Sequence, residues 1–435
     1  MTNSGLLQLT RSDSVDKLIP VGRQNHVVRD KIMSFSKLTQ AIPLLVMELA
    51  LLFAGHPVQA QTETVLYNFT GGSDGNDPSS GLTSDGAGNF YGTTVLVNGE
   101  SGDGTVFELS PNGSGGWNET TIYTFPGGLS GFSPYGNVIL DSAGNLYGTL
   151  YGGCAHNFGA VFELSRIGTS WTETVLYSFV GGMDGATPYS GLIMDPAGNL
   201  YGTTSHGGSN SVGTVFELSK SGGGWTERVI YSPPAHKFNS SASPPALTMD
   251  AAGNIFGASY TTVYKLSPNG HGGWNPTVLH TFSGSYFADT TPVLDQAGNV
   301  YGTTFKGGAY NAGTVYMLTL GKTGTWTSKI LHAFGSGQDG AYSFGRIVFD
   351  AAGNIYGTTL YGGQFGAGTV FELVAQARKG SYKEKVLWSF NSTDGYAPSG
   401  SLILDSAGNL YGTTDGGGNG YPFASGYGVA FEVTP

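Results

Sequence analysis

Five glutamates occupy the same slot of a recurring apolar segment, Glu108, Glu163, Glu217, Glu372 and Glu432. Paired carboxylates cleave glycosidic bonds, so these residues are the first candidates for chemistry. Their regularity argues otherwise. Catalysis needs one asymmetric pair, whereas a residue repeated unit after unit answers a packing or hydrogen-bonding need, and Lys265 and Met317 fill the slot in two further copies. Cys154 and His156 stand two residues apart and, with His206, are the right residue types for a small metal site or a nucleophile pair. No recognisable motif surrounds them. His280 and His332 stand where other copies have tyrosine, which marks them as packed strand residues. No catalytic residue and no metal site is therefore assigned.

A decapeptide, Asp-x-x-Gly-Asn-Leu-Tyr-Gly-Thr-Thr in its commonest form, begins at Asp85, Asp141, Asp195, Asp250, Asp295, Asp350 and Asp405. The steps between copies are 56, 54, 55, 45, 55 and 55 residues, and a fixed period of this size signals a repeat architecture. Each unit carries four short strand signals. In the third these are 191–194, 200–204, 213–218 and 225–231, joined by hairpin-length connections. Asp-x-x-Gly-Asn is a turn: aspartate caps the backbone, and glycine and asparagine tolerate positive φ. The seven aspartates are therefore expected to be structural turns, each offering one carboxylate where calcium wants six to eight oxygens.

Four-stranded antiparallel units repeated radially are the blades of a β-propeller. The fourth-strand signal occurs once before any complete unit, at 62–69, and is missing from the last unit, which ends at Val429–Val433. The expected fold is all-β, a seven-bladed propeller whose N-terminal strand 62–69 pairs with the last blade and closes the ring. Closure removes the exposed edges that a linear solenoid would have to cap.

In such a meander the first and third turns share one face; the second turns and the blade-to-blade links share the other. The first face is monotonous. On the second face the copies differ: Tyr151, His206, Lys306, Tyr361 and Asp415 stand beside the glycines of the second turn, followed by Phe158, Tyr310, Phe365, Tyr421 and Phe423. A constant frame with varied loops is how a scaffold presents a binding surface. Aromatic rings in a glycine-rich, acidic setting suit the flat faces of sugars or peptide side chains. The links repeat Asp-Gly at Asp74, Asp184, Asp339 and Asp394; these are turn signals, or together a ring of carboxylates for a cation such as calcium, although none has EF-hand spacing. No cofactor is expected. The fourth unit lacks the variable loop, while the link before it, 233–246, is long and proline-rich, so an asymmetric face is expected.

Residues 1–60 lie outside the repeat. A basic residue at Lys37, an apolar run over 41–55 broken only by Glu48, and Val58 and Ala60 before a cleavage point read as a signal peptide over 33–60. Residues 1–32 read as an upstream extension without structure, and 61–435 as a single propeller domain. The apolar run is too short for a membrane span. Residues 1–60 hold six basic and four acidic residues, which leaves 13 basic against 26 acidic, a net charge of −13. Such a surface repels phosphate backbones, so nucleic acid is excluded as a partner. A lone cysteine excludes an internal disulfide framework. The chain is expected to be an exported monomer, periplasmic or extracellular.

The motifs DxxGNLYGTT, GTVFEL and WTETVLYSF, recurring in order over 62–435, resemble the Gloeo/Verruco tandem repeat of exported bacterial proteins. That resemblance implies an exported, propeller-like repeat protein and brings no substrate or catalytic residue with it. Two functions follow. The preferred one is a non-enzymatic binding or scaffold protein engaging a glycan or protein through the variable face. The alternative is an extracellular glycosidase or lyase at the propeller mouth, its acid and base drawn from loops holding His156, His206, His236 or Asp415.

Overall fold

The computed structural model describes residues 61–97, 103–234, 245–283, 288, 290–335, 338–378, 380–418 and 426–435. The expected extension 1–32 and the expected signal peptide 33–60, together with His236, Tyr421, Phe423 and most of the 233–246 link, lie outside the described residues.

Seven four-stranded antiparallel sheets follow one another along the chain. Six are built from consecutive strands, blades 1 to 6, spanning 83–124, 139–178, 193–231, 248–281, 293–333 and 348–389. In blade 3 the strands are Ile193–Met194, Leu200–Thr204, Thr214–Ser221 and Gly224–Tyr231, innermost first. Blade 7 takes Ile403–Leu404, Leu410–Thr414 and Val429–Thr434, and its outer strand is Thr62–Asn68 from the other end of the domain. That strand runs antiparallel to Val429–Thr434, from Thr62 opposite Thr434 to Asn68 opposite Val429. The ring is closed as expected. The sole helical turn among the described residues is the 3₁₀ segment Gly128–Ser130.

Each letter of the repeated decapeptide has a physical task. In blade 2, Asp141 Oδ1 accepts the amides of Ala143 and Asn145 (both 2.9 Å) while Oδ2 takes the Asn145 side chain (2.9 Å). These bonds favour the ionised form and hold the Asp141 carboxyl below its ordinary range against the opposing effect of burial. Tyr147 sends its hydroxyl between Asp141 Oδ2 (3.2 Å) and Glu163 Oε1 (3.1 Å). The strand glutamates thus meet the neighbouring tyrosine of their own sheet, as at Tyr201–Glu217 and Tyr356–Glu372. Glycine follows because the ring from the next strand lies over it: a Cβ on Gly148 would come within 2.6 Å of Phe162. The first threonine reaches the next blade, Thr149 Oγ1 to the Ser190 carbonyl (2.9 Å).

An equivalent aromatic pair recurs at every seam between blades. Phe69–Phe107, Phe125–Phe162, Phe179–Phe216 and Tyr231–Tyr264 are followed around the ring by Phe282–Tyr316, Phe334–Phe371 and Phe390–Phe431. Centroid separations are 4.9–5.1 Å, in the range where edge-on and tilted rings attract. The closing strand supplies the seventh pair through Phe69.

The Asp-Gly aspartates sit on the outer-strand side of these seams and form no ring at the mouth. Tyr67 donates to Asp74 (3.0 Å), Tyr177 to Asp184 (2.8 Å) and Trp388 to Asp394 (3.3 Å), and His332 takes the tyrosine's place beside Asp339 (3.1 Å). A glutamate of the outer strand faces each aspartate: Glu119 with Asp74, Glu227 with Asp184, Glu384 with Asp339, Glu63 with Asp394. Burial first, and the aspartate second, raise Glu63 and Glu227 to about 8; burial first also raises Glu119 and Glu384 to about 7.

A folded pKa above the unfolded value of about 4.3 means the native state holds more protons through the interval between them, so stability falls as pH rises across it. A tenfold gain in proton affinity on folding corresponds to about 1.4 kcal/mol before solvent screening reduces it at these half-buried positions. The melting temperature is expected to fall by on the order of 5 °C between pH 5 and pH 9. Glu227→Gln should reduce that slope, because a neutral amide can donate to Asp184 at every pH. Calorimetry across this range checks it, and a flat or rising profile would refute the seam mechanism.

Candidate functional site

The links between blades position the inner surface. Asp77, Ser133, Thr187, Tyr342 and Ala397 occupy the same place in five links, all with φ between 52° and 61°, a region costly for residues other than glycine. Each is pinned from both sides. Thr187 donates its amide to Phe158 O of the preceding blade (2.8 Å) and accepts the Ser205 amide of its own blade (3.1 Å). Ser133 does the same with Asp103 and Tyr151, Tyr342 with Ala312 and Leu360, and Ala397 with Ala367 and Asp415. The residue after the decapeptide, variable in chemistry, is therefore held by a fixed backbone bond.

These links and second turns surround a cavity of about 410 Å³, at the small end of the usual range for small-molecule sites. All seven blades contribute to its wall, which places it on the axis at the variable face. The wall is asymmetric. One arc carries Tyr135 and Tyr189, stacked at 4.5 Å and 18°, with Tyr151 edge-on to Tyr135 at 5.4 Å. Another carries Phe305, Phe344 and Leu360 around Arg346. Small hydroxyls and an amide fill much of the rest: Ser79, Ser190, Thr291, Ser399, Ser401 and Asn137.

Asp415 closes the wall, with Ser399 Oγ hydrogen-bonded to its Oδ1. Burial, reinforced by the nearby Asp77, pushes Asp415 up to about 7, and burial pushes Asp77 to about 6. Arg346 is enclosed by protein, which lowers its pKa, yet much of its surface stays open. Its side chain contributes to the cavity wall.

The candidates named from the sequence separate into two groups. Asp415 lies in the cavity wall, and Tyr151 packs against its tyrosine arc. His206, Lys306 and Tyr361 fall one residue further along the second turn. His206 Nδ1 meets Thr187 Oγ1 at 2.7 Å, and Tyr361, 40% exposed, contacts Tyr342 and Tyr396. Phe158, Tyr310 and Phe365 are more peripheral and exposed; Phe365 lines a separate surface groove with Trp388 and Asn391. The seven turn aspartates are engaged at the opposite ends of the sheets. Cys154 is buried, and burial, with Glu173, pushes its thiol up to about 11, which disfavours a thiolate nucleophile. No group of metal-ligating side chains occurs among the described residues.

Unequal second turns make the face asymmetric. Blade 4 has only Tyr260 and Thr261 between strands, where blade 3 has residues 205–213. Sequence reasoning missed Tyr135, Tyr189, Phe344 and Arg346, which precede the two-residue inner strands. A signal existed in the recurring Pro-Tyr-Gly, Pro-Tyr-Ser-Gly and Pro-Ser-Gly of the links.

A closed seven-bladed β-propeller with an asymmetric axial pocket is the class of protein that these features define. Residues 86–262 and 258–435 each match the Gloeobacter/Verrucomicrobia repeat, and the chain belongs to that family. No curated relative matches it in sequence. Among solved structures it is similar to a streptogramin B lyase (14% identity over 87% of this chain and 99% of that one, TM-score 0.53). It is likewise similar to the virginiamycin B lyase of Staphylococcus aureus (13%, 86% and 99%, TM-score 0.53). A third is an extracellular domain assigned to a hybrid two component system of B. thetaiotaomicron (15%, 86% and 42%, TM-score 0.54). At such identities the likeness shows the fold alone. No helix among the described residues is long and apolar enough to cross a membrane.

Proposed function

We propose that this protein is an exported binding protein whose ligand, a glycan or a peptide segment, seats in the axial pocket of the variable face. The observation that carries this is the pocket's asymmetry: seven near-identical blades converge on a wall where the tyrosine arc, Arg346 and Asp415 each occur once. A merely structural axis has no need of such differences. Export is supported by the leader-like 33–60 segment and agrees with the extracellular domain of similar fold.

A second reading rests on Asp415. A carboxyl raised to about 7 beside Asp77 is suited to general acid–base work, and two of the similar folds are lyases by name. Glycan and peptide arrays probed with the full chain, alongside product analysis of the bound species, separate the two. Tyr189→Ala is expected to weaken binding about tenfold, as buried aromatic anchors do, and Phe365→Ala to leave it unchanged. Turnover abolished by Asp415→Asn would replace the binding reading with the enzymatic one; equal effects of both alanine substitutions would place the ligand elsewhere.

A further inference from the structure

Arg346 lines the cavity and makes no side-chain hydrogen bond or ion pair among the described residues. Its backbone is fixed, the amide donating to Ser401 Oγ at 3.3 Å, and Phe344, Phe305 and Leu360 share its arc of wall. Its side chain is open on the cavity side and has no partner of its own there. The five donors of its planar fork match a carboxylate in two parallel bonds.

The remainder of the cavity has a different character. Hydroxyl and amide groups from five blades line it, at Ser79, Asn137, Ser190, Thr291, Ser399 and Ser401. Across the wall, Asp415 and the tyrosine arc offer an acceptor and ring surfaces. A polar, hydroxyl-rich wall suits a ligand carrying many hydroxyls of its own.

Resting on the pocket-binding reading above, we infer that the ligand is a sugar acid: Arg346 pairs with its carboxylate while Asp415 and the polar groups of the remaining wall take its ring hydroxyls. Arg346 sets the ligand's orientation, because it is the one cation among the residues that line the cavity and stands apart from Asp415 in that wall. The cavity of about 410 Å³ has room for a short segment of one or two sugar rings, so an internal or terminal uronate of a longer chain is the class of ligand that fits.

Titration calorimetry of the full chain with trigalacturonate, its methyl ester and the matching neutral galactose trimer tests this, with an acidic peptide of equal charge as a fourth probe. Trigalacturonate should bind about tenfold or more tightly than the ester, and Arg346→Gln should erase that difference. The ester comparison needs no substitution, so it stands even if the variant folds poorly. Equal affinity for acid, ester and neutral trimer would overturn the assignment of Arg346 and leave pocket binding intact. Preference for the peptide over all three sugars would overturn the sugar. Failure of all four probes would overturn the sugar acid, and pocket binding would fall as well only if Tyr189→Ala left every array ligand unaffected.

Discussion

A chain shortened to begin at Thr70 should lose the cooperative unfolding of the intact ring, and the peptide QTETVLYNF, residues 61–69, should restore it in trans. The segment supplies the whole outer strand of blade 7, six residue pairings from Thr62–Thr434 to Asn68–Val429. It also supplies Leu66 and Phe69, both buried. Losing the Phe69 ring alone costs about 3–5 kcal/mol by analogy with core truncations, a large part of a total stability of about 5–15 kcal/mol. Without it, Phe107 of blade 1 loses its seam partner, and Val429–Thr434 becomes an open edge prone to pairing with other chains. Thermal melts and size-exclusion chromatography of the shortened chain, with and without peptide, read this directly. An unchanged melting temperature in the shortened chain would mean that the ring is held without its closing strand.

Ring closure is legible in the sequence because it rests on counting. A fourth-strand segment too many at one end and one too few at the other can be reconciled only by pairing the ends. The decapeptide is legible for a related reason: Asp141 and Asn145 bind each other within one turn, so the sequence spacing already contains the contact. Contacts between blades are not legible in this way. Glu119 faces Asp74 across 45 residues of chain, and its Asn-Glu-Thr context looks like any half-exposed outer strand. Nothing local announces that its neighbour is another carboxylate.

The candidate site is half legible on the same grounds. Topology alone assigns the variable face, which brings Asp415 and Tyr151 forward. It does not distinguish the residue that follows the decapeptide, held against the axis by a link carbonyl, from the next one, which turns away. His206, Lys306 and Tyr361 stand out by their chemistry, but Ser205, Phe305 and Leu360 have the position. Arg346 escapes notice because the inner strands it precedes are two residues long, too short for alternation to mark an inward side.

Gly357→Ala should be among the most damaging single-methyl changes in the protein, and Phe371→Val should partly rescue it. A Cβ at 357 would lie 2.6 Å from Phe371 Cζ and 3.2 Å from Ile347 Cγ2, closer than packed carbons approach. Phe371 is fully buried and fixed edge-on against Phe334 at 5.1 Å, so the ring has no free direction in which to yield. Overpacking of this kind costs about 1–3 kcal/mol, and more where nothing can move. Gly353, four residues earlier, is the control: its φ is +84° but its Cβ would meet nothing within 4 Å. Alanine there bears only left-handed backbone strain of about 1–2 kcal/mol. In the double variant the smaller valine frees the space that alanine needs, so the two losses should sum to less than their separate values. Chemical denaturation of the four proteins gives that coupling. Strict additivity would show that the glycine does not serve the aromatic seam, and the glycine that recurs at this position in all seven blades would then need a different explanation.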